Sequence, residues 1–262
     1  YAQHLYFGNT EVTDLQIPCS VTSVCGRAFH GYKGLKSVTF DTSVTSVGDY
    51  AFHGCTELAT VSMSNSISDI GTFAFYGCTA LTTLTLSEGL NAIKQGCFYG
   101  CSKLTNVSVP NSVTIIERDA FKGCSAIKKV YIGNGILKIG MTAFSNCSDI
   151  TDVYCSANVS PKLDAMYYKD YTLPFYGSHI EYTTLHVPES SITDYQSNVI
   201  WNGFGNIVAL TEGDTGISTI LYSYNANEVS RFTINGLPTK NAIKGVNIIR
   251  MKNGASKKVV VK

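Results

Sequence analysis

The chain has 262 residues, a formal net charge of +1, 44% hydrophobic residues and only 15% charged residues. The hydrophobic content is sufficient for one or two packed domains, while the near balance of charge excludes the basic surface that nucleic-acid binding requires. No apolar run approaches the roughly 18 residues of a membrane-spanning helix. The first residues, Tyr1 to Gly8, lack the basic start and apolar stretch of a signal peptide, so we expect a mature form whose leader was removed.

An internal repeat of 23 residues dominates the first part of the chain. Glycine, or asparagine in the last regular repeat, stands two residues after each repeated phenylalanine. Because glycine and asparagine tolerate positive φ, we predict a short helical turn around each phenylalanine that ends in a left-handed residue. The repeated phenylalanines are Phe29, Phe52, Phe75, Phe98, Phe121 and Phe144.

Two apolar patterns complete each repeat. A period-2 pair, such as Val107 and Val109, predicts a half-buried strand. A second pair, such as Val113 and Ile116, predicts a second extended stretch. One such unit has too little apolar surface to fold alone, but stacked units share a continuous core. The sequence therefore predicts a solenoid of about eight turns, roughly 40 Å long at the spacing of paired strands.

The repeat between Leu104 and Cys124 shows the full motif: Leu-x-x-Val-x-Val-Pro, then Ser-Val-Thr-x-Ile, then Ala-Phe-x-Gly-Cys. This motif resembles the BspA-type leucine-rich repeat family of bacterial surface proteins over roughly residues 5–155. The resemblance resumes at Phe175, 31 residues after Phe144, and includes a terminal unit with Trp201. It implies a leucine-rich-repeat solenoid with a right-handed superhelix, closed by a helix and a final strand.

Two domains are expected, with a boundary at a polar, glycine-containing linker. Residues 1–211 would form the solenoid with its irregular last repeats and cap, and residues 212–262 a small β-rich C-terminal domain. The second part is similar to short segments on secreted proteins of gut and oral anaerobes, some of which direct export and attachment. Its predicted strands are Ile217 to Tyr224, Arg231 to Ile234, Val246 to Met251 and Lys257 to Val261.

Nine cysteines invite a disulfide framework, but the repeat argues against one. Neighbours in such a row have nearly parallel Cβ vectors, which disulfide geometry does not allow, so we predict reduced, buried thiols. A Cys19–Cys25 bond stays open as an alternative. His30 and His53 share a row without a third ligand, so no metal and no cofactor are predicted. The inward row contains Cys55, Cys78, Cys101, Cys124 and Cys147.

No arrangement of residues points to catalysis. The carboxylates fall on different rows and do not converge, as a glycosidase would require. The chain also lacks a Gly-x-Ser-x-Gly elbow and a glycine-rich phosphate loop. We therefore predict no catalytic residues and no enzymatic activity.

The candidate binding site lies at the C-terminal end of the strand face, the row of outward strand side chains that is otherwise small and polar. There Tyr131 and Tyr154 stand beside Lys129 and Asp152. Tyrosines at solvent-facing positions often mark recognition surfaces, because they combine apolar area with a hydroxyl.

The eight-residue insertion beside this patch contributes further candidate residues. It carries Tyr167, Tyr168 and Tyr171, and loops that interrupt a regular repeat frequently carry function. The alternative is that these tyrosines cover the end of the core.

These observations predict a binding protein. The family resemblance implies a secreted or outer-surface location and adhesion to a protein or glycan on a host or bacterial surface. Side-chain recognition on the strand face is the leading mechanism. The alternatives are glycan binding through exposed tyrosine rings, and a structural spacer that displays the C-terminal segment.

Overall fold

The computed structural model describes residues 6–7, 9–164, 169 and 172–211, together with the backbone of four strands nearer the C-terminus. Contacts divide the chain into two units, Tyr1–Leu210 and Thr211–Lys262. The first unit is a parallel β-solenoid that begins with a short antiparallel pair, β1 (Tyr6–Phe7) and β2 (Thr10–Glu11). In the described part of the chain, no helix is long and apolar enough to cross a membrane.

One column of strands carries the strand face. Equivalent residues of successive repeats pair in parallel, for example Val107 with Val130. The column contains β3 (Asp14–Ile17), β5 (Ser37–Phe40), β7 (Thr60–Ser62), β9 (Thr83–Thr85), β11 (Asn106–Val109), β13 (Lys129–Ile132), β15 (Asp152–Cys155), β17 (Thr184–Val187) and β18 (Asn206–Ala209). Buried and outward positions alternate as predicted in strands such as β5 and β11, but not in β15, where Tyr154 is also buried.

A second column contains the shorter strands that follow in each repeat. It packs valine and isoleucine side chains, such as Val47 and Ile70, into the shared core. Its members are β4 (Ser23–Val24), β6 (Ser46–Val47), β8 (Asp69–Ile70), β10 (Ala92–Ile93), β12 (Ile115–Ile116), β14 (Lys138–Gly140) and β16 (Lys162–Asp164).

Both columns are interrupted at the same level of the stack, between β9 and β11 and between β8 and β10. Pro110, directly after β11, is equivalent to Gly133 and Ser156 in the next two repeats. The backbone N–H groups of Gly133 and Ser156 each donate a hydrogen bond of 3.0 Å to the preceding repeat. Proline has no N–H, so Pro110 cannot make this bond. Beside the interruption, Leu84 is only partly buried. At this level of the stack, the turns around the phenylalanines of the two repeats remain hydrogen-bonded to each other. The N–H of Gly77 donates to the carbonyl of Tyr99 at 2.7 Å.

The turns around the phenylalanines form a third column. The left-handed residues are confirmed at the predicted glycines, such as Gly31 with φ 72°, and at Asn146 with φ 57°. The structure differs from the expected helical turn in one detail. A second left-handed residue, such as Tyr50 with φ 57°, precedes each phenylalanine by two positions. Only a three-residue right-handed stretch is left between them, which is too short for a helix.

The phenylalanine rings stack along the whole solenoid. Neighbouring ring centroids lie 5.0 to 5.5 Å apart, and the column continues across the insertion to Phe175. All of these rings except Phe29, at the first end, are buried. The ring column therefore forms the centre of one continuous core rather than a series of separate ones.

The cysteine row is confirmed as reduced and buried. Each thiol donates to the carbonyl of the phenylalanine 26 residues before it, as Cys124 does to Phe98 at 3.1 Å. Ser178 continues this row, because its hydroxyl donates to the Phe144 carbonyl at 2.6 Å. Burial raises the pKa of the Cys55 thiol to about 12. Cys19 and Cys25 are exposed and not bonded to each other.

The buried thiols predict a simple titration result. Native protein should react quickly with a thiol reagent only at Cys19 and Cys25, because burial keeps the other thiols out of reach of the reagent. After denaturation without reductant, all nine cysteines should react. Quantifying the released chromophore checks both values, and a denatured count of three or fewer would contradict a reduced row.

The irregular end of the solenoid forms the predicted cap. It contains the 3-10 helices Ile180–Tyr182 and Glu189–Ser191, the helix α1 (Ile192–Ser197) and the final strand β18. The fully buried Trp201 contacts the ring of Phe175 and donates its Nε1–H to the carbonyl of Pro161 at 3.0 Å. The cap thereby closes the core that an open end would expose.

The C-terminal segment contains a four-stranded antiparallel sheet. The predicted strands from Arg231, Val246 and Lys257 are observed with slightly different bounds. The predicted strand Ile217 to Tyr224 lies outside the described residues. That residues 212–262 form a separate domain stays a prediction. The observed strands are β19 (Glu228–Thr233), β20 (Pro238–Thr239), β21 (Gly245–Met251) and β22 (Ser256–Val261). They lie in the sheet in the order β20-β19-β21-β22.

Candidate functional site

The strands β13, β15 and β17 bring the predicted site residues together. Their register aligns Tyr131 with Tyr154 and with His186, and aligns Lys129 with Asp152. The Tyr131 and Tyr154 ring centroids lie 4.7 Å apart with planes 12° from parallel. The Tyr154 ring and the His186 imidazole lie 4.3 Å apart. We call these five residues the aromatic strand cluster.

The exposure predicted for Tyr154 is wrong. Its side chain points away from the core but is only 6% exposed, because the rings of Tyr131 and His186 cover its two faces. Tyr131 is half-buried. On the other side of Tyr131 the register places Ser108, whose short side chain is exposed and carries no ring. The stack of rings therefore ends at Tyr131, and one face of the Tyr131 ring is not covered by another ring.

Charged groups border the stacked rings. The imidazole Nε2 of His186 lies 3.1 Å from the Oδ1 of Asp152, and the Lys129 ammonium lies 5.8 Å from the centroid of the Tyr154 ring. The phenol groups of Tyr154 and Tyr131, in that order, raise the pKa of Lys129. Burial, followed by the charge of Asp152, raises the pKa of Tyr154. At neutral pH the cluster thus places the Lys129 cation beside the uncharged phenol of Tyr154.

His186 is the member of the cluster that the sequence prediction missed. The signal was present, because Leu185-His186-Val187-Pro188 repeats the pattern of Val107-Ser108-Val109-Pro110. Aligning the two motifs places His186 in the same outward row as Ser108 and Tyr131. Counting at a fixed interval of 23 residues does not reach His186, because the insertion shifts the later repeats along the chain.

The insertion tyrosines cannot be placed in the same way. Tyr167, Tyr168 and Tyr171 lie outside the described residues, so their part in a binding site stays a prediction. At the start of the insertion, the carboxylate of Asp164 pairs with the Lys138 ammonium at 3.2 Å.

A second ring column lies on the turns of the N-terminal half. His30, His53, Tyr76 and Tyr99 stack with centroids 4.7 Å apart at each step. Corresponding nitrogens of two parallel imidazoles at this spacing are further apart than twice a Zn–N bond of about 2.1 Å. The histidine pair is therefore poorly arranged to chelate one ion. No group of three potential metal-ligating side chains occurs in the described part of the chain.

His53 predicts a pH dependence of stability. Burial, and secondly the charge of His30, lower the pKa of His53 below its usual value, so protonation favours the unfolded state. Stability should be fully present above the unfolded pKa of about 6.5 and should decrease as the pH falls through it. Urea unfolding at neutral and mildly acidic pH measures this decrease.

Two variants isolate the contribution of His53 to that decrease. His53→Tyr should reduce the decrease and keep the stack with Tyr76. His30→Tyr should retain most of it, because burial is the larger cause of the His53 shift. An unchanged pH dependence in His53→Tyr would contradict the assignment.

Parallel strands repeating every 23 residues around one continuous core define a leucine-rich-repeat solenoid. The model of the BspA-type leucine-rich repeat region matches residues 3–122 and 75–202, with six copies. The chain belongs to this family of leucine-rich repeat proteins. Leucine-rich-repeat solenoids are typically binding scaffolds and not enzymes.

Solved structures of bacterial leucine-rich repeat proteins share the fold. A leucine-rich repeat protein of T. pallidum is 26% identical, with a TM-score of 0.56, over 62% of this chain and 78% of that one. A leucine-rich repeat protein from Eubacterium ventriosum is 22% identical, with a TM-score of 0.51, over 78% of this chain and 47% of that one. A comparison with curated proteins gives no match.

Proposed function

We propose that this protein is secreted or displayed on the outer cell surface and adheres to a protein on a host or bacterial surface through its strand face. Membership of the BspA-type family supports an extracellular binding or adhesion role. The observation that carries the proposal is the aromatic strand cluster, which follows a series of repeats with small polar side chains on the strand face, such as Thr39, Ser62, Thr85 and Ser108.

The uncovered face of the Tyr131 ring makes this residue a candidate hot spot for protein binding. The ring is held in place by Tyr154, which in turn packs on His186. A ring fixed in this way loses little side-chain entropy when a partner covers it. Beside it, Lys129 supplies a cation that is only partly buried. This arrangement fits a protein surface that presents an apolar side chain next to a carboxylate.

Glycan recognition by the same rings has weaker support. A sugar stacks on an accessible ring face, and Tyr154 has neither face available because Tyr131 and His186 cover both. Only the single face of Tyr131 beside Ser108 could serve. Tyr131→Phe keeps the ring face and removes the hydroxyl, so sugar stacking should survive it, whereas a protein contact that uses the hydroxyl in addition to the ring should weaken.

Binding of the full chain to a panel of immobilised host matrix proteins and glycans tests the proposal. Tyr131→Ser should weaken a protein hit at least about tenfold, the size of effect typical of a hot-spot residue. Thr39→Ser, in the same outward row at the other end of the solenoid, is the matched control and should bind like the wild type. Tyr154→Ser is unsuitable because it would also remove buried packing.

Two results would count against a strand-face site. Equal binding by wild type and Tyr131→Ser would move the site to the insertion or the C-terminal segment. Binding to no member of the panel would favour the spacer role, in which the strand face has no partner.

A further inference from the structure

An open hollow of about 530 Å³ lies beside the start of β15, on the side of the loop that precedes β17. Its volume falls within the range of about 300–1,000 Å³ that is usual for small-molecule sites. Lys128, Asp149, Thr151, His179 and Tyr182 contribute to its lining. None of these residues belongs to the aromatic strand cluster.

A departure from the repeat builds this hollow. Val153 and Leu185 are paired in neighbouring strands, so they are equivalent positions. Val153 is nine positions after Phe144, but Leu185 is ten positions after Phe175, so the later repeat has one extra residue. The extra residue is accommodated by the 3-10 helix Ile180–Tyr182. His179 precedes this helix in a left-handed conformation, with φ 53° and ψ 40°.

Non-glycine residues adopt this left-handed conformation in most turns of the solenoid, Tyr50 among them, so at His179 it belongs to the architecture of the turns. The 3-10 helix that follows contains Tyr182. The side chain of Tyr182 is 84% exposed, the highest value among the large exposed hydrophobic residues of the described chain. The solenoid thus holds an aromatic ring in water at the rim of a hollow, where it covers no part of the core.

The polar groups in the hollow are balanced in charge. Lys128 and Asp149 are both exposed, and the Asp149 carboxylate accepts a long hydrogen bond of 3.4 Å from the Ser148 hydroxyl. His179 lies 3.5 Å from the carboxylate of Glu181. An anionic ligand in the hollow would meet the Asp149 carboxylate, and a cationic ligand would meet the Lys128 ammonium.

We propose that this hollow binds a neutral pyranose, such as a terminal hexose of a surface glycan. An open aromatic ring matches the apolar C–H face of a sugar, and the Tyr182 ring supplies it. Sugar hydroxyls both donate and accept hydrogen bonds, so the Asp149 carboxylate accepts from one and the Lys128 ammonium donates to another. The site is separate from the proposed protein-binding surface and does not depend on it.

Saturation-transfer NMR of the full chain with the methyl glycosides of glucose, galactose and mannose tests this site. At least one glycoside should receive saturation at its ring protons. Tyr182→Ala should weaken its binding about tenfold or more, and Tyr182→Trp should retain it. Tyr176 is a matched control, because it is 50% exposed in the same repeat but does not line the hollow, and Tyr176→Ala should bind normally.

Several outcomes would overturn the proposal. They are absence of transfer to all three glycosides, transfer that persists in Tyr182→Ala, equal loss in Tyr176→Ala, and stronger binding of methyl glucuronide than of the neutral sugars. Tyr131→Ser should leave sugar binding unchanged. Because Tyr131→Ser acts only on the aromatic strand cluster, failure of the sugar site and failure of the protein-binding proposal give different results.

Discussion

Phe98→Ala is expected to lower the free energy of unfolding by about 3–5 kcal/mol. Phe98 is completely buried, and its ring stacks between Phe75 at 5.5 Å and Phe121 at 5.3 Å. Removing it leaves a cavity in the centre of the stack. The neighbouring rings cannot easily move into this cavity, because backbone hydrogen bonds fix the spacing between successive turns. One of these bonds runs from the Phe98 N–H to the carbonyl of Ala120 at 2.8 Å.

Urea unfolding followed by circular dichroism measures this effect. Phe29→Ala is the matched control, because Phe29 occupies the same position of the repeat but is only partly buried at the end of the ring column. The control should lose clearly less stability than Phe98→Ala. Equal losses would show that the ring column does not act as one continuous core.

Trp201→Ala should have a comparable effect at the other end of the core, about 3–5 kcal/mol. Trp201 is fully buried in the cap, where it contacts the rings of Phe175, Tyr195 and Phe204. Its loss opens the end of the ring column to water. The free energy of unfolding should decrease, and binding of a hydrophobic dye to the native protein should increase.

Trp201→Phe separates ring packing from hydrogen bonding in the cap. It keeps an aromatic ring but removes the hydrogen bond to the Pro161 carbonyl, so it should cost less than Trp201→Ala, about 1–3 kcal/mol for the carbonyl left without its donor. If the alanine variant were as stable as the wild type, the segment from β17 to β18 would not be the structural cap.

Most of the solenoid follows from the repeat itself. A fixed interval of 23 residues assigns each side chain to a row, and strand periodicity then determines which rows face inward. The buried thiols of Cys55 to Cys147 and the left-handed glycines were predictable for this reason. The left-handed Tyr50 and Phe73 were not, since bulky residues rarely adopt positive φ.

The candidate site was only partly predictable because it lies where the repeat becomes irregular. Row counting placed Tyr131 beside Tyr154 correctly. It could not show that His186, on the far side of the insertion, covers the second face of Tyr154. For the same reason Tyr182 was missed, since its exposure results from one extra residue before β17. Both errors arise from lengths that differ from the 23-residue interval.

The open face of the Tyr131 ring is the central element of the proposed function, and blocking it is the most direct test. Ser108→Trp adds a large side chain next to that face, while Thr39→Trp adds the same side chain in the same row at the other end. Both positions are exposed, so both variants should keep the stability of the wild type.

The decisive measurement is the dissociation constant of these two variants for the protein ligand that the panel identifies. We predict that Ser108→Trp weakens binding at least about tenfold and that Thr39→Trp leaves it within about twofold of the wild type. Equal dissociation constants for the two variants would contradict a binding site at the C-terminal end of the strand face.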